Sequence, residues 1–201
     1  MTEQIVKNRP AEPVRQHAFV FPGQGSQYVG MGAALLERSP EAVAVMARAD
    51  AALGFSLSRL IAEGPADELD LTVNAQPAIL ATSIAYLEAL RAGAAQAGVE
   101  LRPQSLAGHS AGQYAAAVAA DALDFETAIQ LVRERGRIMQ ERGIDGGMGA
   151  VIGLSDEQVH DIVDQARAHG EIAIANRNAP GQIVLSGVIP ALVFALEMSK
   201  T

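Results

Sequence analysis

The sequence predicts an α/β protein in two parts: a larger part built round a parallel sheet, and a smaller one of β-α-β-β-α order. Three observations predict it. Short apolar runs that end at proline or glycine, "HAFVFP" (17–22) and "QSLAGH" (104–109), are separated by long helical patterns, the rhythm of parallel strands joined by helices. From residue 146 the rhythm shortens to strand, helix, strand, strand, helix. The composition, 49% hydrophobic but only 4% aromatic with 19 glycines, suits close-packed helices on a sheet better than an aromatic-rich β-sandwich. At 201 residues the chain can hold one large domain, or one plus a small one.

Each element has its own justification. Residues 1–16 are polar with two prolines and read as a flexible tail. "GQGSQYVGMG" (23–32) carries four glycines in ten residues between a strand and a helical pattern, a turn that exposes backbone N–H groups. It lacks the G-K-[ST] of a nucleotide-binding P-loop and the spacing of G-x-G-x-x-G, and a plain tight turn is the competing reading. "SPEAVAVMARADAAL" (39–53) is a helix with Ser39 as N-cap and Pro40 at the first helical position. "PAILATSIAYLEALRA" (77–92) is apolar nearly all round, hence buried. Pro77 is placed in its first turn, with Gln76 pushed out of helical geometry by the proline. Residues 111–120 form an Ala-rich helix.

Asp124 caps a helix running to about 142 whose apolar stripe is read as Ala128, Leu131, Val132, Ile138 and Met139. A subdomain boundary is set near 145, giving a large part (17–145) and a small part (146–201). In the small part "SDEQVHDIVDQARAHG" opens on a capping box, Ser155 with Gln158, and closes at Gly170. With "EIAIANRNAPG", "QIVLSG" and "VIPALVFALEMSK" around it, the order is that of a ferredoxin-like split unit lacking its last strand.

Composition excludes several functions. The formal charge is −8 and no basic stripe interleaves with aromatics, so nucleic acid is not an expected partner. The absence of cysteine removes disulfides, thiolate metal sites and cysteine catalysis. Four scattered histidines without H-E-x-x-H spacing argue against a metal site. No uninterrupted apolar run of membrane-spanning length and no signal-peptide core are found. A cytoplasmic protein that engages no membrane is the expectation.

Two features carry chemistry. "GHSAG" (108–112) is a full G-x-S-x-G between a strand and a helix, where the glycines permit a strained elbow, Ser110 is presented as nucleophile and the Ala111 N–H faces a developing oxyanion. This context makes the larger part α/β-hydrolase-like. Arg135 falls on the core-facing stripe of its helix, while Arg133, Glu134 and Arg137 point elsewhere. A guanidinium there needs an anionic partner. It is either a structural ion pair or snorkelling side chain, or a clamp for a substrate carboxylate.

In order along the chain, "FVFPGQGSQYVGMG", "AQPAIL", "GHSAGQYAA" and "LVRERGRIMQ" resemble the malonyl-CoA:acyl-carrier-protein transacylases and the related acyltransferase domains of fatty-acid and polyketide synthases. "GMGAVIGL" and "NAPGQIVLSG" extend the resemblance through the small part, which is then an insertion in the large one. The resemblance implies that Ser110 takes a malonyl group from malonyl-CoA and passes it to the phosphopantetheine thiol of acyl carrier protein, with no bound cofactor. Gln24 would supply the second oxyanion N–H beside that of Ala111. Arg135 would pair with the free malonyl carboxylate, Gln76 would line the acyl pocket, and His109 would line it too rather than act as base. The complete protein is expected to be a monomer.

Two departures accompany the resemblance. Gln113 stands where the family commonly has Glu, with little change in chemistry expected. The family's catalytic histidine lies past the small subdomain's last strand, beyond Thr201, so both parts are expected to be incomplete at the C-terminus and the base to lie outside these residues. His160 is expected on a solvent-facing helix surface, His169 at that helix's C-terminal end and His17 ahead of the first strand. The alternatives are a thioesterase or esterase of α/β type, and a catalytically incomplete carrier-protein-binding fragment.

Overall fold

A computed structural model describes residues 17–143 and 146–200. The tail read at 1–16 lies outside them. The chain forms two compact units, Met1–Ile138 and Met139–Thr201, dividing inside a helix ahead of the boundary read at 145.

The first unit carries strand β1 (Ala18–Phe21), short helix α1 (Ala33–Leu36), α2 (Pro40–Leu53), α3 (Leu57–Glu63), α4 (Ala66–Asp70), α5 (Thr72–Gln96), β2 (Ser105–Gly108), α6 (Gly112–Ala119) and the start of α7 (Phe125–Arg142). β1 and β2 pair in parallel, Ala18 opposite Ser105 and Phe21 opposite Gly108. That register brings the end of β1, where the glycine-rich loop begins, beside the end of β2, where Ser110 follows. Ser39 caps α2 as its sequence predicts, accepting from the Ala42 N–H at 3.2 Å. Asp124 does the same for α7, taking the Thr127 N–H at 2.8 Å.

α5 is the centre of this unit and packs against α2 and α6. Its long apolar sequence would pass for a membrane span by length and composition, but half of its most apolar stretch is buried within the protein. Leu80 on α5, Leu57 and Ile61 on α3, and Ile129 on α7 are among its fully buried side chains, each contributing about 1.5–3 kcal/mol.

Two expectations are corrected here. α5 begins at Thr72, not at 77, and Pro77 lies inside it with Gln76 helical. The proline removes one helical hydrogen bond, but every residue from Asn74 to Thr82 is buried, and that packing outweighs the local preference. The turn ahead of the proline is anchored by the Asn74 and Ala75 N–H groups, both 2.8 Å from the Leu71 carbonyl. The stripe of α7 is Phe125, Ala128, Ile129, Val132 and Gly136, whereas Leu131, Ile138 and Met139 are exposed. Leu131 projects roughly 100° from Val132 around the helix, and Met139 falls past the end of the first unit.

The second unit holds β3 (Gly146–Ile152), α8 (Asp156–Ala166), a 3-10 turn (Arg167–His169), β4 (Ile172–Ala179), β5 (Gln182–Val188) and α9 (Ile189–Met198). Its sheet has the order β3-β5-β4 with both pairings antiparallel, as a ferredoxin-like unit requires. The capping box on α8 is complete. Val159, Val163, Ile183 and Leu185 are central to its own core. His160 is exposed and within 2.9 Å of the Arg177 guanidinium. His169 stacks on Phe194 with ring centres 4.2 Å apart.

Candidate active site

The elbow at Ser110 is built by two glycines that almost touch. A Cβ on Gly108 would fall 2.0 Å from the Gly112 carbonyl oxygen, and one on Gly112 would fall 2.4 Å from the Phe21 oxygen. Larger residues at either position would push β2, α6 and β1 apart. Between them Ser110 is held at φ +50°, a left-handed conformation that a non-glycine residue adopts only where its surroundings enforce it. The turn is closed by Gly112 N–H to the His109 carbonyl at 2.8 Å and tied to β1 by His109 N–H to the Phe21 carbonyl at 3.0 Å.

Ala111, only 2% exposed, stands at the N-cap of α6. Among the described residues neither its N–H nor that of Gln24 donates to a protein acceptor. Gln24 sits on the exposed glycine-rich loop, its side-chain amide donating to Thr72 Oγ1 at 3.0 Å. His109 is exposed and its Nδ1 leans on Gly23, where a Cβ would come within 2.8 Å.

Arg135 joins the site from α7. Its Nη2 donates to Ser110 Oγ at 3.1 Å, and its Nη1 donates to Oε1 of Gln76. Gln76 is fully buried on α5, so the guanidinium is oriented by a group that cannot itself move into solvent. Arg133, two residues earlier, stacks on Phe55 with its charge centre 4.2 Å from the ring, and burial holds its pKa below the ordinary arginine value. The two arginines are thus separated in role by their position around one helix.

This arrangement can bind an anionic group beside a serine hydroxyl and stabilise negative charge on its oxygen. It cannot remove the hydroxyl proton: a guanidinium carries five donors and no acceptor. Arg135 is the only side chain among the described residues that hydrogen-bonds Ser110. An apolar groove of about 580 Å³ between β1 and α5, lined by Phe19, Tyr28, Ile79 and Tyr86 among others, includes neither Ser110 nor Arg135. The chemistry of the elbow, not the size of the groove, marks the site.

Sequence reasoning did not reach Thr72 and Gly136. Gly136 lets α7 come against the backbone of α5, where a Cβ would meet the Thr72 carbonyl oxygen at 2.6 Å. The signal lay in "RERG", whose glycine in mid-helix costs about 1 kcal/mol of helix propensity and so has to earn its place by close packing.

Residues 18–196 match the acyl transferase domain family. The chain belongs to that family. This acyl transferase domain is 45% identical over 186 residues to the malonyl CoA-acyl carrier protein transacylase of Bacillus subtilis (strain 168), covering 91% of this chain and 57% of that protein. Among solved structures it is similar to the acyl-carrier-protein S-malonyltransferase of Burkholderia pseudomallei 1710b, with 42% identity and a TM-score of 0.84, covering 92% of this chain and 59% of that one. It also resembles a malonyl-transacylase in complex with its type II polyketide acyl-carrier protein, with 38% identity and a TM-score of 0.83 over 92% of this chain and 59% of that one. The acyl transferase domain described here therefore spans under two thirds of the length of these relatives.

Proposed function

We propose that this chain carries the acylation site of an acyl-carrier-protein S-malonyltransferase acting in the cytoplasm in fatty-acid or polyketide synthesis. The observation that carries the reading is the bond from Arg135 to Ser110 Oγ with Gln76 behind it. A nucleophilic serine next to an oriented guanidinium suits an acyl group that ends in a carboxylate. An esterase of neutral esters has no use for it, and the relatives are named a transacylase and an S-malonyltransferase.

In this mechanism the malonyl carboxylate pairs with Arg135, while Gln76 keeps the guanidinium in plane. Ser110 Oγ attacks the thioester carbonyl of malonyl-CoA. The tetrahedral oxyanion is met by the Ala111 and Gln24 N–H groups, which form no competing bonds within the described residues. The C–S bond breaks, coenzyme A leaves with the proton from the serine, and a malonyl ester remains on Oγ. The phosphopantetheine thiol of acyl carrier protein then attacks that ester, taking the malonyl group and restoring the serine. No bound cofactor takes part. Among the described residues no histidine is bonded to Ser110, so the proton acceptor is a group other than those that hold the serine in this structure.

Intact mass after incubation with malonyl-CoA tests this reading. The 201-residue chain should gain one malonyl group slowly, Ser110→Ala should gain none, and imidazole in the buffer should accelerate the gain as an external base. A modification that persists in Ser110→Ala, or acetyl-CoA acylating the chain as efficiently as malonyl-CoA, would refute it.

A further inference from the structure

Thr72 and Gln76 are four residues apart on α5 and therefore lie one above the other on one helix face. Each holds one half of the site. Gln76 accepts from Arg135, and Thr72 Oγ1 accepts from the Gln24 side chain at 3.0 Å. The loop that Thr72 holds is also braced on itself: Ser26 Oγ donates to the Gly23 carbonyl at 2.8 Å, and the Gly25 N–H donates to Gln27 Oε1 at 2.8 Å. A second tie runs from Gln27 Nε2 to Asp70 Oδ1 at 2.9 Å, at the end of α4 and two residues ahead of α5. On the other side of the same turn, Gly136 seats α7 against the Thr72 and Val73 backbone, closer than any side chain would allow.

We propose that the first turn of α5 is a shared seat that fixes the oxyanion loop relative to the Arg135 clamp, with Thr72 as its positioning residue. Four helical residues span about 6 Å, so the side chain that holds the Gln24 loop and the one that holds the guanidinium keep a fixed spacing along α5. An acyl group has to present its reacting carbonyl to that loop and its far carboxylate to the guanidinium. Thr72 thus acts on the rate through Gln24 without touching the substrate.

This inference rests on the reading of Ser110 as the acylated residue, and the test separates the two. Thr72→Val keeps the shape and removes the acceptor, while Thr72→Ser keeps the acceptor. In the 201-residue chain, Thr72→Val should lower the maximal rate of Ser110 malonylation roughly five- to tenfold, the effect of one lost hydrogen bond. It should leave the half-saturating malonyl-CoA concentration within about twofold, as expected when a group acts on the transition state alone. Amide hydrogen exchange over residues 24–27 should quicken by a similar factor. Thr72→Ser should stay near wild type in both measurements. Arg135→Met should raise the half-saturating concentration without changing exchange in the loop. Thr72→Val indistinguishable from Thr72→Ser in loop exchange would overturn the proposal. If the wild-type chain takes no malonyl group, that result counts against the reading of Ser110, and the exchange comparison still decides the role of Thr72.

Discussion

Gly108→Ala is the substitution for which the structure gives the firmest magnitude. The added Cβ would lie 2.0 Å from the Gly112 carbonyl oxygen, 2.1 Å from its carbon and 2.3 Å from the Gln113 nitrogen. All three are main-chain atoms, so no side chain can turn aside to relieve the clash. Restoring ordinary contact needs β2 and the first turn of α6 to separate by on the order of 1 Å. That strains the turn bonds from Gly112 N–H to the His109 carbonyl and from Gln113 N–H to the Ser110 carbonyl, at 2.8 and 3.1 Å. Two backbone hydrogen bonds at about 0.5–1.5 kcal/mol each, with about 1–3 kcal/mol of overpacking, give a loss of about 2–6 kcal/mol. Urea denaturation followed by circular dichroism measures it, and Gly93→Ala, which meets nothing within 4 Å, is the matched control. Whatever fraction stays folded should also lose Ser110 malonylation at least about a hundredfold, because a displacement of this size is enough to ruin attack geometry. A Gly108→Ala chain with a wild-type midpoint would refute a tight elbow and the need for glycine at 108 and 112.

Three further predictions follow from other contacts. Gly93→Ala itself should stabilise the first unit by roughly 0.5–1 kcal/mol, since it replaces a glycine in a helix interior with free space around it; an unchanged or lower urea midpoint would contradict this. Arg135→Lys should raise the half-saturating malonyl-CoA concentration at least about tenfold, because a single ammonium cannot hold Gln76 and a carboxylate in the same fork; acetyl-CoA, with no carboxylate, serves as the comparison and should be little affected. Glu126 is held below the ordinary carboxylate range, first by its hydrogen bond to Arg48, whose two contacts measure 2.7 and 3.0 Å. A depressed folded-state pKa adds stability above the unfolded value, and that stability is lost as pH falls through the folded one. Both partners are nearly half exposed, so the gain is under about 1 kcal/mol. Glu126→Gln should therefore be slightly less stable than wild type at pH 7, with the gap closing below about pH 4; a gap that widens on acidification would reverse the assignment.

The legible parts of this fold are those written within a few consecutive residues. Ser39, Asp124 and the Ser155–Gln158 box mark helix starts because a cap needs a specific side chain within three positions of the amide it binds, and all three caps form. The small unit's order of elements along the chain also follows from local rhythm. The start of α5 was not legible, because the rule that proline ends a helix is local and the burial that overrides it is tertiary. The short helices α3 and α4 were missed for a related reason: seven and five residues are too few to show a period.

The site divides along the same line, and this determines what each of its residues can be asked to do. Ser110 and its glycines were readable as a motif, and Arg135 as a charge on a core-facing stripe. Their meeting at 3.1 Å depends on Gly136 packing against Thr72, and Gln24 reaches its own support across 48 positions; no periodicity records such pairs. The consequence is chemical. Arg135 favours negative charge on Ser110 Oγ, and under the proposed function a malonyl carboxylate would compete with the serine for Nη2 while Gln76 keeps Nη1. Binding of such an acyl group would withdraw a donor from the nucleophile at the moment it is needed as an attacking oxygen. That would raise the basicity of the oxygen and make its attack depend on a proton acceptor, which Arg135 cannot supply. Under that reading, holding the acyl group and activating the serine fall to different groups, and Arg135 can serve only the first, because a guanidinium has no acceptor for a proton.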